Sequence, residues 1–316
     1  MRCLVQLAAS AAAASFIDVP CPANTVPWPR SDGGTTCEPF ASAKRDALKW
    51  LRKNAPPADL RNAATLFGTP GGVDGLDAGV AAVAANATLT AKMRWPWAWS
   101  VPKDLFRDYV LPYASANEPR THWHGLLAKA VEPILEALPR HATIADVAEA
   151  INGYGDNSSV SVWQRVGGIK FHPGQTPLIF DPVSTVAFGY ASCTGVSTTY
   201  IAALRVAGVP ARLVGTPAWL GDPAKGNHNW VELWDGAAWR FWEGRPAGGG
   251  ETLTNPCDKW FCKAARFPIN GSTKVYAARF DRRANTTTYP LAWDPTNLDT
   301  PGVDRTDAYV GMCSNC

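Results

Sequence analysis

The cysteines are the feature of this sequence that most constrains its fold. The 316-residue chain contains eight of them, which is unusual for a cytosolic protein and compatible with export to an oxidising compartment. Because disulfides join cysteines two at a time, the parity of the count decides whether a thiol stays free. That parity depends on whether the first cysteine, Cys3, remains in the mature chain.

The N-terminus predicts a secretory signal peptide over residues 1–17. Met1-Arg2 supplies a positive start, residues 3–7 form a short apolar run, and the alanines and serines that follow provide a small-residue cleavage region. A buried N-terminal helix is the alternative. The apolar run is far shorter than the ~20 residues of a membrane-spanning helix, so we expect no membrane anchor. Four Asn-x-Ser/Thr sequons support export: Asn86, Asn157, Asn270 and Asn285.

Cleavage of this peptide would leave an odd number of cysteines: Cys21, Cys37, Cys193, Cys257, Cys262, Cys313 and Cys316. At least one thiol of an oxidised monomer then stays unpaired. Six of the seven lie near the chain ends or in loops rich in Gly, Pro and Asn, whereas Cys193 stands alone in the middle. We therefore predict six structural cysteines and a free Cys193. Spacing does not fix the pairing; the local bridges Cys21–Cys37 and Cys257–Cys262 are working hypotheses.

Composition excludes several classes of protein. Hydrophobic residues make up 46% of the chain and charged residues 18%, which rules out a disordered chain, a coiled coil and a collagen-like repeat. The net charge of +3 is small and both signs are scattered, so no nucleic-acid partner is expected. Six tryptophans fall between Trp219 and Trp260, and their usual role is core packing.

Hydrophobic periodicity predicts an α+β fold in one compact domain, with helices in the first half and strands in the second. Residues 18–40 are expected to be an irregular, disulfide-tied lead-in. The predicted helices cover residues 42–54, 58–67, 74–92, part of 101–118, 122–138, 143–151 and 193–207. The predicted strands cover residues 211–214, 229–234, 239–242, 274–280 and 289–293.

Cys193 has the sequence surroundings of a nucleophile. It directly precedes the apolar positions of a predicted helix, so it lies near the helix N-terminus. Free N–H groups and the positive end of the helix dipole favour a thiolate there. The same N–H groups can bind a developing oxyanion.

His228 and Glu243 are predicted to lie on one face of a hairpin. His228 begins the strand before Asp235-Gly236, a dipeptide typical of hairpin turns. With a two-residue turn His228 lies directly opposite Glu243, and with a loop over residues 235–238 the two become diagonal neighbours. Both even-length loops keep the side chains on the same face, and only an odd loop would separate them. Glu243 can then orient the imidazole of His228.

Other residues offer weaker alternatives. Asp235 and Glu232 are substitute acids, although Glu232 lies roughly 13 Å along the strand from His228. Gln175 and Trp163 carry N–H donors ahead of Cys193 and are candidate oxyanion donors, or else ordinary core or surface residues. His122-x-His124 is predicted to open a helix, whereas a metal site would need the pair on a strand. No fourfold set with zinc-finger spacing accompanies the Cys pairs, so disulfides are favoured over zinc.

These residues resemble the transglutaminase-like superfamily, within the papain-like cysteine fold. The family pattern is a cysteine at a helix start, a His-x-Trp-Val-Glu strand, and a strand that ends in an acid. Here these are Cys193, residues 228–232 and residues 239–243, with Glu243 where the family usually has Asp. The specific match covers roughly residues 160–265. A looser match covers about residues 95–310, which implies a transglutaminase-like domain over 95–310. The remaining chain is predicted to be a helical N-terminal region over 18–94, from its periodicity, and a Cys-containing tail over 311–316.

The resemblance also implies an activity. A Cys193 thiolate would attack an amide carbonyl of a protein or peptide substrate, either a glutamine side chain or a peptide bond, and form a thioester. His228 would carry the proton and Glu243 would hold His228. An amine or water would resolve the thioester, and no cofactor is expected. The alternative is an inactive domain that binds a peptide or carbohydrate, stacked on Trp219, Trp230 or Trp242.

Overall fold

The computed structural model describes residues 20–67, 79–153, 160–248, 252–282 and 287–316. The predicted signal peptide therefore lies outside the described residues, as do the sequons at Asn157 and Asn285. The other two sequon asparagines, Asn86 and Asn270, are both exposed.

The first described residues form a β-hairpin, which corrects the expectation of an irregular lead-in. Strand β1 (Thr25–Pro29) pairs antiparallel with β2 (Thr35–Pro39). The disulfide Cys21–Cys37 ties this hairpin and confirms the first local bridge. The strands could not be predicted from composition because they are rich in proline and threonine. Each proline lies at a position where a two-stranded ribbon does not require an N–H donor.

Helices dominate the first half of the chain, as predicted. In chain order they are α1 (Phe40–Asn54), α2 (Pro57–Arg61), α3 (Ala63–Phe67), α4 (Val80–Arg94), α5 (Pro96–Trp99), α6 (Lys103–Tyr109), α7 (Trp123–Glu136), α8 (Ile144–Asn152), α9 (Val162–Arg165), α10 (Pro182–Phe188) and α11 (Cys193–Val206). Pro133 lies inside α7 without ending it. A capping box between Thr143 and Asp146 begins α8 by pairing free N–H groups with side-chain oxygens.

A six-stranded antiparallel sheet forms the second half. The remaining strands are β3 (Lys170–Phe171), β4 (Tyr190–Ala191), β5 (Ala211–Thr216), β6 (His228–Trp234), β7 (Trp239–Trp242), β8 (Tyr276–Ala278), β9 (Thr287–Thr288) and β10 (Pro301–Asp304). The large sheet has the order β7-β6-β5-β8-β10-β9, and β3 pairs separately with β4. The predicted α+β class, with the helical half preceding the sheet, is confirmed.

The predicted strand over residues 289–293 is wrong. Strand β9 ends at Thr288, and Tyr289 turns inward so that its hydroxyl donates to Asn229. Pro290 has no N–H group to continue a ladder, which ends the pairing despite the apolar sequence.

Helix α11 lies at the centre of the molecule, and every residue from Thr194 to Val206 is buried. It packs on β5 and β6 on one side and on α7 on the other. Arg205 fixes its C-terminal end by donating to the backbone carbonyls of Tyr109, Pro112 and Ala114. A buried helix of this kind holds the residue at its N-terminus rigidly.

The final helix, α12 (Thr306–Cys313), is joined to the segment of residues 257–262 by two disulfides. These are Cys257–Cys316 and Cys262–Cys313, so the expected local bridge Cys257–Cys262 is wrong. Both cysteines of the segment pair with the C-terminal end because α12 packs beside it. Cys193 is unpaired, as the parity argument predicted.

Candidate active site

Cys193 is the first residue of α11 and follows directly on strand β4. Gly195 permits the first turn of α11 to pack closely against the residues before it, because a Cβ atom there would lie 2.7 Å from the Cβ of Ala191 and 3.0 Å from the carbonyl oxygen of Ile179. Ser192 precedes the helix without a side-chain cap, so the first N–H groups are not taken by that hydroxyl. The half-buried thiol therefore lies at a helix N-terminus, where negative charge is stabilised.

His228 and Glu243 are brought together by the longer of the two predicted hairpin loops. Trp234 pairs with Trp239 and Val231 with Trp242, so the loop covers residues 235–238. The two side chains are diagonal neighbours on one face. His228 Nε2 lies 2.9 Å from Glu243 Oε1.

The Cys193 thiol and the His228 imidazole form a coupled pair. Both His228 and Glu243 are at most 5% exposed. Burial by itself would raise the pKa of Cys193, but the hydrogen bond and the charge of His228 lower it below the ordinary thiol value. Burial would likewise lower the pKa of His228, and its bonds to Cys193 and Glu243 raise it instead. These opposite shifts favour a thiolate beside an imidazolium.

A second group of side chains, which the sequence interpretation missed, surrounds the thiol. Hydrogen bonds from the backbone N–H of Asn229 and from the side chain of Thr194 further lower the pKa of Cys193. The Asn229 amide donates to the Thr194 hydroxyl at 2.8 Å and accepts from the Tyr289 hydroxyl at 2.5 Å. Asn229 lies two residues before Val231 and four before Leu233 in β6, on the strand face that these two core residues share. A polar residue at such a position in a predicted strand is the signal that could have revealed it.

Trp163 has a different role from the one considered. Its indole N–H donates to Asn152 Oδ1 at 2.9 Å, so it is not directed at the thiol. The amide of Asn152 in turn donates to the backbone oxygen of Glu243 at 2.8 Å, and Asn152 also accepts from the N–H of Arg245. Trp163 and Asn152 therefore hold the chain on both sides of Gly244.

Gln175 is also engaged elsewhere. Its amide nitrogen lies 2.8 Å from His172 Nδ1 and 3.4 Å from the carbonyl oxygen of Pro173. Neither of the two side-chain donors considered from the sequence therefore serves the site as described. The backbone N–H groups at the start of α11 also lie beside the thiol and can bind an oxyanion.

The two substitute acids serve other networks. Asp235 stays in the hairpin loop; burial would raise its pKa, but Arg240 and the N–H groups of Ala237 and Ala238 lower it to about 2. Glu232 is buried and binds two guanidinium groups, those of Arg212 and Arg305. Of the carboxylates considered, Glu243 is the one bonded to His228.

A cleft of about 480 Å³ opens over Cys193 and His228. Its rim carries the exposed aromatic side chains of Phe171 and Trp260, together with the partly buried Trp293. The tryptophans proposed for ligand stacking are not exposed: Trp219, Trp230 and Trp242 are at most 4% accessible. Any stacking would fall to the rim residues instead.

The paired histidines contribute nothing to this site. His122 precedes α7 and His124 lies within it, as expected for a helix start. Burial lowers the pKa of His124 to about 3, so its ring is neutral, and it stacks on Trp123. No group of three His, Cys, Asp or Glu side chains is arranged to hold a metal ion within the described part of the chain. Across the same residues, no helix has the length and apolarity needed to span a membrane.

The fold and the site together define an α+β protein in which a buried helix presents a cysteine to a histidine on the neighbouring sheet. Residues 147–243 match the family model of the transglutaminase-like superfamily, so this part of the chain is a transglutaminase-like domain. The matched region begins in α8 and ends at Glu243, and it contains Cys193 and His228. Searches of the curated proteins and of the solved structures found no significant match.

Proposed function

We propose that this protein is an exported cysteine enzyme that acts on amide bonds through a thioester. The observation that carries the proposal is the unpaired Cys193 at the start of α11, hydrogen-bonded to a buried His228 whose other nitrogen meets Glu243. A thiolate beside an imidazolium is the reactive form of a cysteine nucleophile. The substrate is a protein or peptide that offers a glutamine side chain or a peptide bond.

The thiolate of Cys193 attacks the amide carbonyl, and the oxygen takes up the negative charge. The N–H groups at the N-terminus of α11 stabilise that oxyanion. The His228 imidazolium then donates its proton to the departing nitrogen, the C–N bond breaks, and a thioester and a free amine result. Glu243 keeps the ring oriented and stabilises its positive charge throughout.

The thioester can be resolved by two acceptors. Water gives hydrolysis, as in a protease or amidase, and a primary amine such as lysine gives acyl transfer. In both cases His228, now neutral, takes a proton from the acceptor as it attacks. The two outcomes share the same first half-reaction and differ only in the group that enters the cleft.

Export is part of the proposal. The residues at the N-terminus have the composition of a signal peptide. Three disulfides in a chain of this size are typical of proteins that fold in an oxidising compartment.

A paired assay on one glutamine-containing peptide library tests the proposal. Hydrolysis and incorporation of a labelled primary amine are measured for the wild type and for Cys193→Ala. We expect at least one activity in the wild type and neither in the variant. Peptide binding that survives Cys193→Ala, with no turnover by the wild type, would instead identify an inactive binding domain.

A further inference from the structure

The cleft over the thiol and the imidazole is bordered by three aromatic side chains from three separate segments of the chain. Phe171 belongs to β3, Trp260 to the segment of residues 257–262, and Trp293 to the chain that follows β9. Phe171 and Trp260 are 45% and 49% exposed, although aromatic side chains of this size are usually largely buried. About half of each therefore remains in contact with solvent at the mouth of the cleft.

Trp260 is held in place by its own neighbours. Its ring lies 5.9 Å from the ring of Trp219 and 5.4 Å from that of Phe261, centroid to centroid. The guanidinium group of Arg266 lies 5.3 Å from the same centroid. Two disulfides join the segment to the C-terminal end of the chain, one on either side of Trp260. A side chain that is already fixed loses little conformational entropy when a ligand packs against it.

Phe171 is placed by the strand pair that leads to the nucleophile. Strand β3 runs parallel to β4, and Phe171 is the register partner of Ala191, two residues before Cys193. The N–H group of His172 continues this pairing by donating to the Ala191 carbonyl oxygen at 2.9 Å. One half-exposed ring thus lies beside the strand that ends at the cysteine. The other, that of Trp260, lies 5.7 Å from the His228 ring.

The rest of the cleft is uncharged. Apart from the thiol–imidazole pair, the described residues of its lining are neutral and mostly small or aromatic, for example Gly174, Thr176 and Ala292. The volume of about 480 Å³ lies within the range of roughly 300–1,000 Å³ that is typical of ligand pockets, so it has room for a side chain besides the reacting amide. A charged side chain would lose water here without a counter-charge from these residues, whereas an apolar one gains from leaving water.

We infer that the cleft selects peptides with a large apolar or aromatic side chain next to the residue whose amide is attacked. Phe171 and Trp260 are the residues that determine this specificity. The inference rests on the proposed function, because its occupant is the acyl donor of the same reaction. A side chain packed between these rings holds the neighbouring amide over Cys193, so that binding and positioning come from one contact.

Kinetics on a set of heptapeptides test the inference. Each peptide has a central glutamine, the same residue X on both sides of it and alanine elsewhere, where X is phenylalanine, leucine, serine, aspartate or lysine. Placing X on both sides removes the need to know the direction in which the peptide binds. We expect kcat/KM for the phenylalanine and leucine peptides to exceed that of the serine peptide about 10- to 100-fold. The aspartate and lysine peptides should not exceed the serine peptide.

Variants are compared by the ratio of kcat/KM for the phenylalanine peptide to that for the serine peptide. A uniform loss of catalysis cancels in this ratio, which matters because Trp260 also contacts His228. We expect the ratio to fall about fivefold or more in both Phe171→Ala and Trp260→Ala. Phe188→Ala removes a 59% exposed ring that is not part of the cleft lining, and as the matched control it should keep the wild-type ratio. The pH profile of Cys193 alkylation by iodoacetamide shows whether the thiol–imidazole pair is intact in each variant.

Two results would overturn the inference while the proposed function stands. One is a wild-type ratio near one, or a ratio that Phe171→Ala or a folded Trp260→Ala leaves unchanged. If Trp260→Ala does not fold, Phe171→Ala decides. The other is faster turnover of a heptapeptide with glycosylated serine on both sides of the glutamine than of the phenylalanine peptide, because the rings would then bind a sugar.

Binding separates the inference from the proposed function if the wild type turns over no peptide. That result would refute the proposed function. Dissociation constants of the same peptides, labelled with a fluorophore and measured by anisotropy on Cys193→Ala, then test the cleft alone. Tighter binding of the phenylalanine and leucine peptides that is lost in Cys193→Ala with Phe171→Ala would support the inference. Equal dissociation constants across the set, or no binding, would overturn it.

Discussion

At the scale of single residues, the proposed reactivity of Cys193 depends on how a proton is shared between its half-buried thiol and the buried imidazole of His228. His228 faces the thiol with one nitrogen and Glu243 with Nε2, at 2.9 Å. Because Glu243 accepts a hydrogen bond from the ring, the proton is retained on the imidazole and the sulfur stays ionised. Glu243 makes this contact from a position diagonal to His228 in the hairpin.

We expect kcat/KM to follow a bell-shaped pH profile. Activity is lost as the pH falls through the lowered pKa of Cys193, because a protonated thiol is a poor nucleophile. It is lost again as the pH rises through the raised pKa of His228, about 10, because the imidazole can then no longer donate a proton. Steady-state rates across the pH range check this prediction, and a single ionisation near pH ~8–9 would contradict it.

Glu243→Gln should reduce kcat/KM roughly 10²- to 10⁴-fold while the protein remains folded. Glutamine keeps the shape of the side chain but loses the charge that stabilises the imidazolium. Kinetics on the same peptide give the size of the effect, and a thermal melt shows whether the fold is intact. Asp235→Asn, in the exposed hairpin loop, is the control and should retain activity. Full activity in Glu243→Gln would exclude its proposed role.

At the scale of secondary-structure elements, the Asn229 side chain of β6 lies directly against the backbone of β5 at Gly215. A Cβ atom on Gly215 would lie 2.1 Å from Asn229 Oδ1 and 2.8 Å from both the His228 carbonyl oxygen and the Tyr289 hydroxyl. Only glycine allows the Asn229 side chain to cross β5 and receive the Tyr289 hydrogen bond. The absence of a side chain at Gly215 in β5 therefore provides the space that the Asn229 side chain occupies.

Gly215→Ala should lower the free energy of unfolding by about 1–3 kcal/mol and raise the pKa of Cys193, because Asn229 must move. Denaturant titration and the alkylation profile measure the two effects. Gly125→Ala is the matched control: it lies in α7 with nothing near the added methyl group, and it should be neutral or stabilising by up to ~1 kcal/mol. Equal behaviour of the two variants would contradict the close-approach argument.

The segment of residues 257–262 and helix α12 form a second pair of elements beside the site, because two disulfides join the segment to the C-terminal end of the chain and Phe261 packs on His228. Replacing Cys262 and Cys313 by serine opens a covalent loop with a sequence separation of 51 residues. We expect a loss of about 2–5 kcal/mol of stability together with slower alkylation of Cys193 at low pH. Replacing Cys21 and Cys37 should also cost stability, but it should leave the thiol profile unchanged because that bridge ties the remote hairpin. Identical pH profiles of Cys193 alkylation in the two double variants would contradict the proposed dependence of the site on α12.

At the scale of the whole molecule, the contacts that could be predicted are those governed by local periodicity. His228 and Glu243 share a face because side chains alternate along a strand, and Cys193 begins a helix whose apolar positions are visible in the sequence. The odd cysteine count expected after signal-peptide cleavage, together with the isolated position of Cys193, also predicted a free thiol there, and Cys193 is unpaired in the described residues. These inferences require only the neighbouring residues or a simple count.

Contacts between distant segments could not be predicted in this way. Asn152 reaches Glu243 across 91 positions, and Cys262 pairs with Cys313 because α12 returns to the sheet. Lys259 resembles any loop lysine in the sequence, and only the fold places it 3.6 Å from Glu243. The packing of α8, residues 257–262 and α12 around one hairpin is a property of the tertiary fold, and no spacing in the sequence predicts it.

The central claim is that Cys193 forms a covalent acyl intermediate, and mass spectrometry of the acid-quenched, digested protein tests it most directly. The wild type is mixed with a glutamine-containing peptide at neutral pH, quenched in acid within the first turnover and digested. We predict an acyl adduct on the peptide that contains Cys193, lost on treatment with hydroxylamine and absent in Cys193→Ala. Product formation without any adduct on Cys193, or an equal adduct in Cys193→Ala, would contradict the account.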